Sequence, residues 1–230
     1  MLDSQPQLIQ AYFSILAASK GLNYKEDFMK LYYSPAACSL SPHIVAREAG
    51  IPIDLEKVNL TDHKTETGQD YMTVNPKGYV PALRFDDGSV LTEGPAIVQY
   101  LADQKPASGL APAAGTIERY RLQEWLTFIG TELHKSLGSL FNPATSDEVK
   151  ETTKTNITKR LAYLNGQLAN RQYLMGSNFT VADAYAFTVV NWTNFLGIDL
   201  KAYPNLAAYM GRVGGRPKVQ EALKAEGLVK

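Results

Sequence analysis

The sequence predicts two regions of different class: an α/β layer on a small mixed sheet, then an all-helical region. Three observations carry this. Strand-like and helix-like runs alternate from Met29 to about Pro106. From Thr116 onward the apolar spacing is helical only. Between them, residues 107–115 are rich in Ala, Pro and Gly and read as a linker. The chain therefore divides into residues 29–106, a linker at 107–115, and residues 116–230, with residues 1–28 as an upstream extension.

The elements follow in order. Lys30–Tyr33 is short and apolar-aromatic, as a buried strand is. Ser39–Ala49 carries Leu40, Ile44, Val45 and Ala49 at helical spacing, with Gly50 at the stop position. Leu55–Asn59 is a second strand. Ala82–Phe85 and Ser89–Leu91 flank Asp86-Asp87-Gly88, a hairpin signal. Pro95–Asp103 reads as a helix through Ile97, Val98 and Leu101. This β-α-β, β-β-α order is what makes the layer mixed. In the helical region, Ile117, Tyr120, Trp125, Phe128, Ile129, Leu133 and Leu137 form one apolar face, and Ile157, Leu161, Leu164 and Leu168 another. Thr180 and Asp183 make a capping-box start, with Phe179 as a staple; loss of Asp183 as a cap is expected to cost about 0.5–2 kcal/mol. Leu206, Tyr209, Met210 and Val213 form the last face.

Composition narrows the functions. Of 230 residues, 45% are apolar and 20% charged, enough to bury a core. Lys plus Arg is 23 and Asp plus Glu is 23, so the basic excess of a nucleic-acid or anionic-membrane binder is missing. One cysteine, Cys38, excludes an internal disulfide and a cysteine zinc cluster. His43, His63 and His134 lack metal-ligand spacing, so no metal is expected. No apolar run reaches the roughly 18 residues of a membrane helix. Residues 8–18 are mildly apolar, but the first charge is Asp3 and Gln10 breaks the run, a poor secretory signal. The chain reads as soluble, cytoplasmic rather than periplasmic, with Met29 as a candidate natural start.

Three motifs carry chemistry. Ser34 to Pro42 joins the first strand to the first helix and places Cys38 near a helix start, where the dipole favours thiolate. Ser41 stands where a Cys-x-x-Cys motif has its second cysteine, so only a mixed disulfide with a small thiol is open to it. The alternative is a cysteine buried in packing. Gly78-Tyr79-Val80-Pro81-Ala82 precedes a strand, and Pro81 is a candidate cis proline that would turn the Val80 backbone outward. Leu91-Thr92-Glu93-Gly94 leads into a helix whose first amides can hold a carboxylate while Glu93 accepts from an amine, which suits an amino-acid zwitterion. Glu93 can equally serve as a helix-start residue. Tyr32 and Tyr33 read as strand packing.

Together these segments resemble the glutathione transferases, most closely the bacterial beta class. The resemblance rests on Met29 to Tyr33, Cys38 to His43, Asn75 to Gly78, Val80-Pro81, Leu91 to Gly94, Ile97 to Asp103, Glu132 to Lys135 and Phe179 to Tyr185. It implies a thioredoxin-like N-terminal domain and an all-helical C-terminal domain, usually as a homodimer. It implies conjugation of glutathione, as co-substrate, to small hydrophobic electrophiles in detoxification. Some thiol-disulfide activity would run through Cys38. A reductase or peroxidase, or a non-enzymatic binding protein on the same fold, are the alternatives. By the resemblance, Cys38 lies near the glutathione sulfur and His134 reaches it from the helical domain. Val80 pairs with the cysteinyl backbone beside cis Pro81, and Glu93 and Gly94 hold the γ-glutamyl end. Lys135 is a second polar contributor and Trp192 a wall of the electrophile pocket. Three positions depart from the family pattern: at Gly94 many transferases have a serine, whose hydroxyl is lost while the amide is kept. Thr127 stands where an asparagine often orients the thiol, and His63, before Lys64, stands where a lysine often meets the glycine carboxylate.

Overall fold

The computed structural model describes residues 29–230. The readings of residues 1–28, including the apolar run at 8–18, fall outside the described residues. Strand β1 (Lys30–Tyr33) lies at the centre of a five-stranded sheet of order β3-β2-β1-β4-β5. It pairs in parallel with β2 (Asp54–Asn59) and antiparallel with β4 (Ala82–Arg84). Parallel pairing requires a crossover, supplied by helix α1 (Leu40–Ala49), which ends in left-handed Gly50. The short β3 (Lys64–Thr65) and β5 (Val90–Thr92) form antiparallel edges. Helix α2 (Gly94–Gln104) follows β5 and packs beside α1.

Alternation along β1 sorts its side chains to two faces. Leu31 enters the main core with Leu40, Ile44, Leu83 and Ile97. Tyr32 enters a smaller cluster with Val58, Tyr71, Val80 and Ala82 on the opposite face. That cluster anchors the segment before Pro81. The Tyr71 hydroxyl (3.0 Å) and Asn75 Nδ2 (2.7 Å) both donate to the Tyr79 carbonyl, fixing the chain just ahead of the cis Val80–Pro81 bond.

The regular elements described in the second region are all helical, joined by turns that include an isolated Tyr173–Gly176 bridge. Helix α3 (Ile117–Phe128) runs without a break into a π-helical turn (Ile129–His134) and then α4 (Lys135–Ser139). Long α5 (Asp147–Gln167), central α6 (Val181–Val190), α7 (Pro204–Gly214) and α8 (Pro217–Ala225) follow. Every residue of α6 is buried; its sequence is mostly apolar all round, and the polar Asp183 and Thr188 are hydrogen-bonded inside. Helix α1 packs on α2, α6 and α8, so one core runs from the sheet into the helices.

The expected face of α3 is corrected. Ile117 and Tyr120 are exposed, and the buried positions are Arg119, Leu122 and Leu126, continuing to Ile129, Leu133 and Leu137. Apolar residues lie on two sides of this helix, and the buried side includes an arginine. Arg119 is held inside by Asp103 and by the Pro112 carbonyl (2.8 Å). Trp125 and Phe128 pack instead on Tyr163 of α5, toward the outer surface.

Candidate active site

The loop between β1 and α1 places Cys38 two residues before the first helical residue. Its Sγ donates to the Val80 carbonyl (3.2 Å), and Ser41 Oγ donates back to the Cys38 carbonyl (2.9 Å). The expected thiolate is corrected. Burial, reinforced by the Glu93 charge, pushes the thiol up to about 12 against the pull of its own and the Ser39 backbone N–H. Desolvation outweighs the helix start here.

Cys38, Val80, Pro81, Glu93, Gly94, His134 and Lys135 all line one cavity of about 400 Å³ between the sheet region and the helices. Gly94 opens α2 there, and a Cβ on it would lie 3.8 Å from Pro81 Cγ. Glu93 sits at φ 71°, a left-handed conformation unusual outside glycine, which turns it toward the cavity rim. Its carboxylate meets Lys77 Nζ at 2.5 Å, and Lys77 also donates to Thr92 Oγ1 (2.9 Å).

On the opposite wall the π-helical turn brings Gly130, Thr131 and His134, with Lys135 after them, to the cavity. Single π-turns inside α-helices recur at functional sites. His134 Nδ1 lies 2.6 Å from the Tyr185 hydroxyl, which α6 projects into the same cavity. Burial and the neighbouring Lys135 charge pull His134 down to about 4, so it is neutral at neutral pH. Burial also holds the Tyr185 phenol well above its usual range.

Three expected residues lie elsewhere. Thr127 faces a neighbouring cleft with Gln99 and Gln123, and its hydroxyl donates to the Gln123 carbonyl of its own helix (2.8 Å). It lies one turn too early, and Thr131 occupies the cavity wall instead. Trp192 is buried behind His134, rings 4.9 Å apart, with its Nε1 donating to the Ala36 carbonyl (2.8 Å), so it does not wall the cavity. His63 stands at φ 53° beside Gly78, outside the cavity lining, and its buried Nδ1 has no hydrogen-bond partner among the described residues. Tyr185, Lys77 and Thr131 were not expected. Tyr185 sits in an apolar helix that reads as core, so its hydroxyl carries no sequence signal.

A larger open groove of about 760 Å³ lies between α3 and α5, lined by Trp125, Phe128 and Tyr163. It has no thiol or histidine, so the chemistry belongs to the smaller cavity. Among the described residues no three His, Cys, Asp or Glu side chains converge as a metal site, and no helix is long and apolar enough to cross a membrane.

Two family models match the chain: the glutathione S-transferase N-terminal domain over residues 35–104 and the C-terminal domain over residues 128–217. Glutathione S-transferase GstA of Escherichia coli O157:H7 is 48% identical over 200 residues, covering 87% of this chain and all of that protein. The chain belongs to the glutathione S-transferase family. Its thioredoxin-like layer and helical region are the two domains of that fold, and the chain is a glutathione transferase. A ternary complex of BphK, a bacterial transferase, superposes with a TM-score of 0.85 at 57% identity, over 86% of this chain and all of that one. A sphingomonad transferase complexed with glutathione gives 0.84 at 52%, over 87% of this chain and all of that one. A bacterial beta-class transferase from Sphingomonas chungbukensis matches equally, at 0.84 and 52% over the same shares, and places this chain with the beta class.

Proposed function

We propose that the cavity binds glutathione with its sulfur between Cys38 and His134, and conjugates it to small hydrophobic electrophiles. The outward Val80 backbone pairs with the cysteinyl part of the tripeptide. Glu93 and the Gly94 amide take the γ-glutamyl end, with Lys77 steadying the carboxylate. The observation that carries this reading is that the Cys38 thiol, the Val80 backbone, Glu93, Gly94 and His134 line one cavity.

Free glutathione has a thiol pKa of roughly 8.5, so little of it is thiolate at pH 7. Lowering it by about two units is worth about 2.7 kcal/mol. Donors aimed at the sulfur supply this. With the Tyr185 phenol as donor to His134 Nδ1, the neutral imidazole carries its proton on Nε2, the nitrogen this reading gives to the sulfur. Cys38, kept as the thiol, becomes a second donor when its S–H turns from the Val80 carbonyl to the incoming sulfur. The thiol releases its proton to solvent, and the thiolate attacks an electrophilic carbon held beside it, the leaving group taking the electron pair of the bond that breaks.

Thiol-disulfide exchange through Cys38 is the second reading, favoured by its position at the cavity. It requires Cys38 as thiolate, and the high thiol pKa places conjugation first. The Cys38→Ala variant separates the two. Conjugation is expected to fall less than about tenfold, while exchange with a glutathione mixed disulfide disappears. Loss of both would sink this division of labour. Family membership supports a homodimer, a cytoplasmic location and a role in detoxification. The test of the site itself is calorimetric titration of reduced glutathione. Binding in the micromolar to millimolar range is expected, and none in a folded sample would overturn the reading.

A further inference from the structure

Ala36, two residues before Cys38, adopts φ 63°, a conformation that strains any residue with a Cβ and is open to glycine. Its peptide is gripped on both sides by distant parts of the chain. The Ala36 N–H donates to Glu226 Oε2 (3.2 Å), and the Ala36 carbonyl accepts from Trp192 Nε1 (2.8 Å). Glu226 follows α8 and Trp192 follows α6, and both side chains are buried. The other Glu226 oxygen lies 2.9 Å from Nδ1 of buried His43 on α1. Arg47 Nε donates to His43 Nε2 (3.3 Å), which leaves Nδ1 to donate to Glu226. Within the loop, Ser39 Oγ donates to the Ser34 carbonyl (3.2 Å) and accepts the Ser34 N–H (3.1 Å). The Trp192 indole also packs against the His134 ring. One side chain thus touches both the Cys38 loop and the histidine across the cavity.

We infer that Trp192 and Glu226 are positioning residues that hold the Ala36 peptide left-handed from the helical side and so set the Cys38 thiol opposite His134. This rests on the reading of the site given above. Neither residue touches the reacting atoms; each acts through the loop.

Cys38 is the single cysteine of the chain, so alkylation by iodoacetamide reads it alone. Trp192→Phe keeps a ring against His134 and removes the indole N–H. It is expected to speed Cys38 alkylation at pH 8 about tenfold and to raise KM for glutathione, with the circular dichroism unchanged. Glu226→Gln offers one oxygen to two N–H donors and should give a smaller acceleration. Ala36→Gly alone should leave the rate as in the wild type. Added to either variant, Ala36→Gly should restore the wild-type rate, because glycine holds positive φ without a clamp. A purely structural role for Trp192 would not be rescued in this way. Should Trp192→Phe fail to fold, Glu226→Gln, alone and with Ala36→Gly, decides by the same criterion. Unchanged alkylation in the folded variants, or an acceleration that Ala36→Gly does not reverse, overturns the clamp. Failure of the wild type to bind glutathione overturns the site reading instead and leaves the alkylation comparison intact.

Discussion

On the sheet side of the cavity, Val80, Glu93 and Gly94 present backbone whose geometry is special: a cis bond, a positive φ, a helix start. On the helical side, Thr131, His134 and Lys135 present side chains, aimed by a π-helical turn and by Tyr185 from a different helix. On the function proposed above, the first wall recognises a peptide and the second supplies proton donors. The cis bond and the helix start fall at Pro81 and Gly94, residues that punctuate a sequence, although the positive φ falls at Glu93. Side-chain aim depends on helix register, which leaves no such mark.

The largest test of the comparison is His134→Ala. If the helical wall supplies activation, kcat for conjugation falls about 100-fold or more while glutathione binding persists. Because His134 is neutral down to about pH 4, its protonation should leave no inflection between pH 5 and 8 in the rate profile. An inflection near pH 6.5 that vanishes in the variant would show a charged imidazole at work and reverse the assignment.

Asp183 probes what holds the helical wall in place. It was legible as a cap, but the structure gives it more to do. Its carboxyl accepts from the Thr180 N–H and the Leu174 N–H (2.8 Å each) and from the hydroxyls of Thr180 (3.0 Å) and Tyr209 (3.1 Å). Asp183→Ala strands these donors in the core, so the loss at pH 7 should be about 2–3 kcal/mol, above the range expected from the sequence. Burial raises the carboxyl to about 6. A raised folded pKa means this group stabilises most below its unfolded value and loses that contribution as pH rises through 6. The wild-type margin over Asp183→Ala in urea unfolding should therefore be about 1 kcal/mol larger at pH 5 than at pH 7.

Legibility followed the same division. The strands, the crossover helix, the hairpin and α2 are written in apolar period and in Gly and Pro, and they appear within a residue or two of the expected ranges. Cys38, Val80, Pro81, Glu93 and Gly94 sit at such punctuation, and the structure brings them together. His134, Lys135, Thr127 and Trp192 are expectations of the resemblance; the first two line the cavity and the last two lie off it. Between Thr127 and His134 the chain turns through a π-helix, which shifts the exposed face so that Thr131 takes the wall. Gly130 weakens an ordinary helix at Ile129–His134, but it does not by itself specify a π-turn. Tyr185 is hidden for a related reason: a hydroxyl on a mostly apolar, fully buried helix looks like packing until its partner is seen.

The smallest effect falls on the recognition wall, at Lys77. Its ammonium bridges Glu93 and Thr92 from the exposed rim, so it steadies a carboxylate that water also reaches. Exposed pairs of this kind couple weakly, because solvent screens both charges and the long side chain loses freedom in holding its place. Lys77→Met should therefore raise KM for glutathione by less than about fivefold and leave kcat unchanged. The excess should shrink as salt is added, since the pair is screened. A fall in kcat would mean that Glu93 reaches the reacting sulfur, and the separation between a wall that recognises and a wall that activates would fail at its most exposed point.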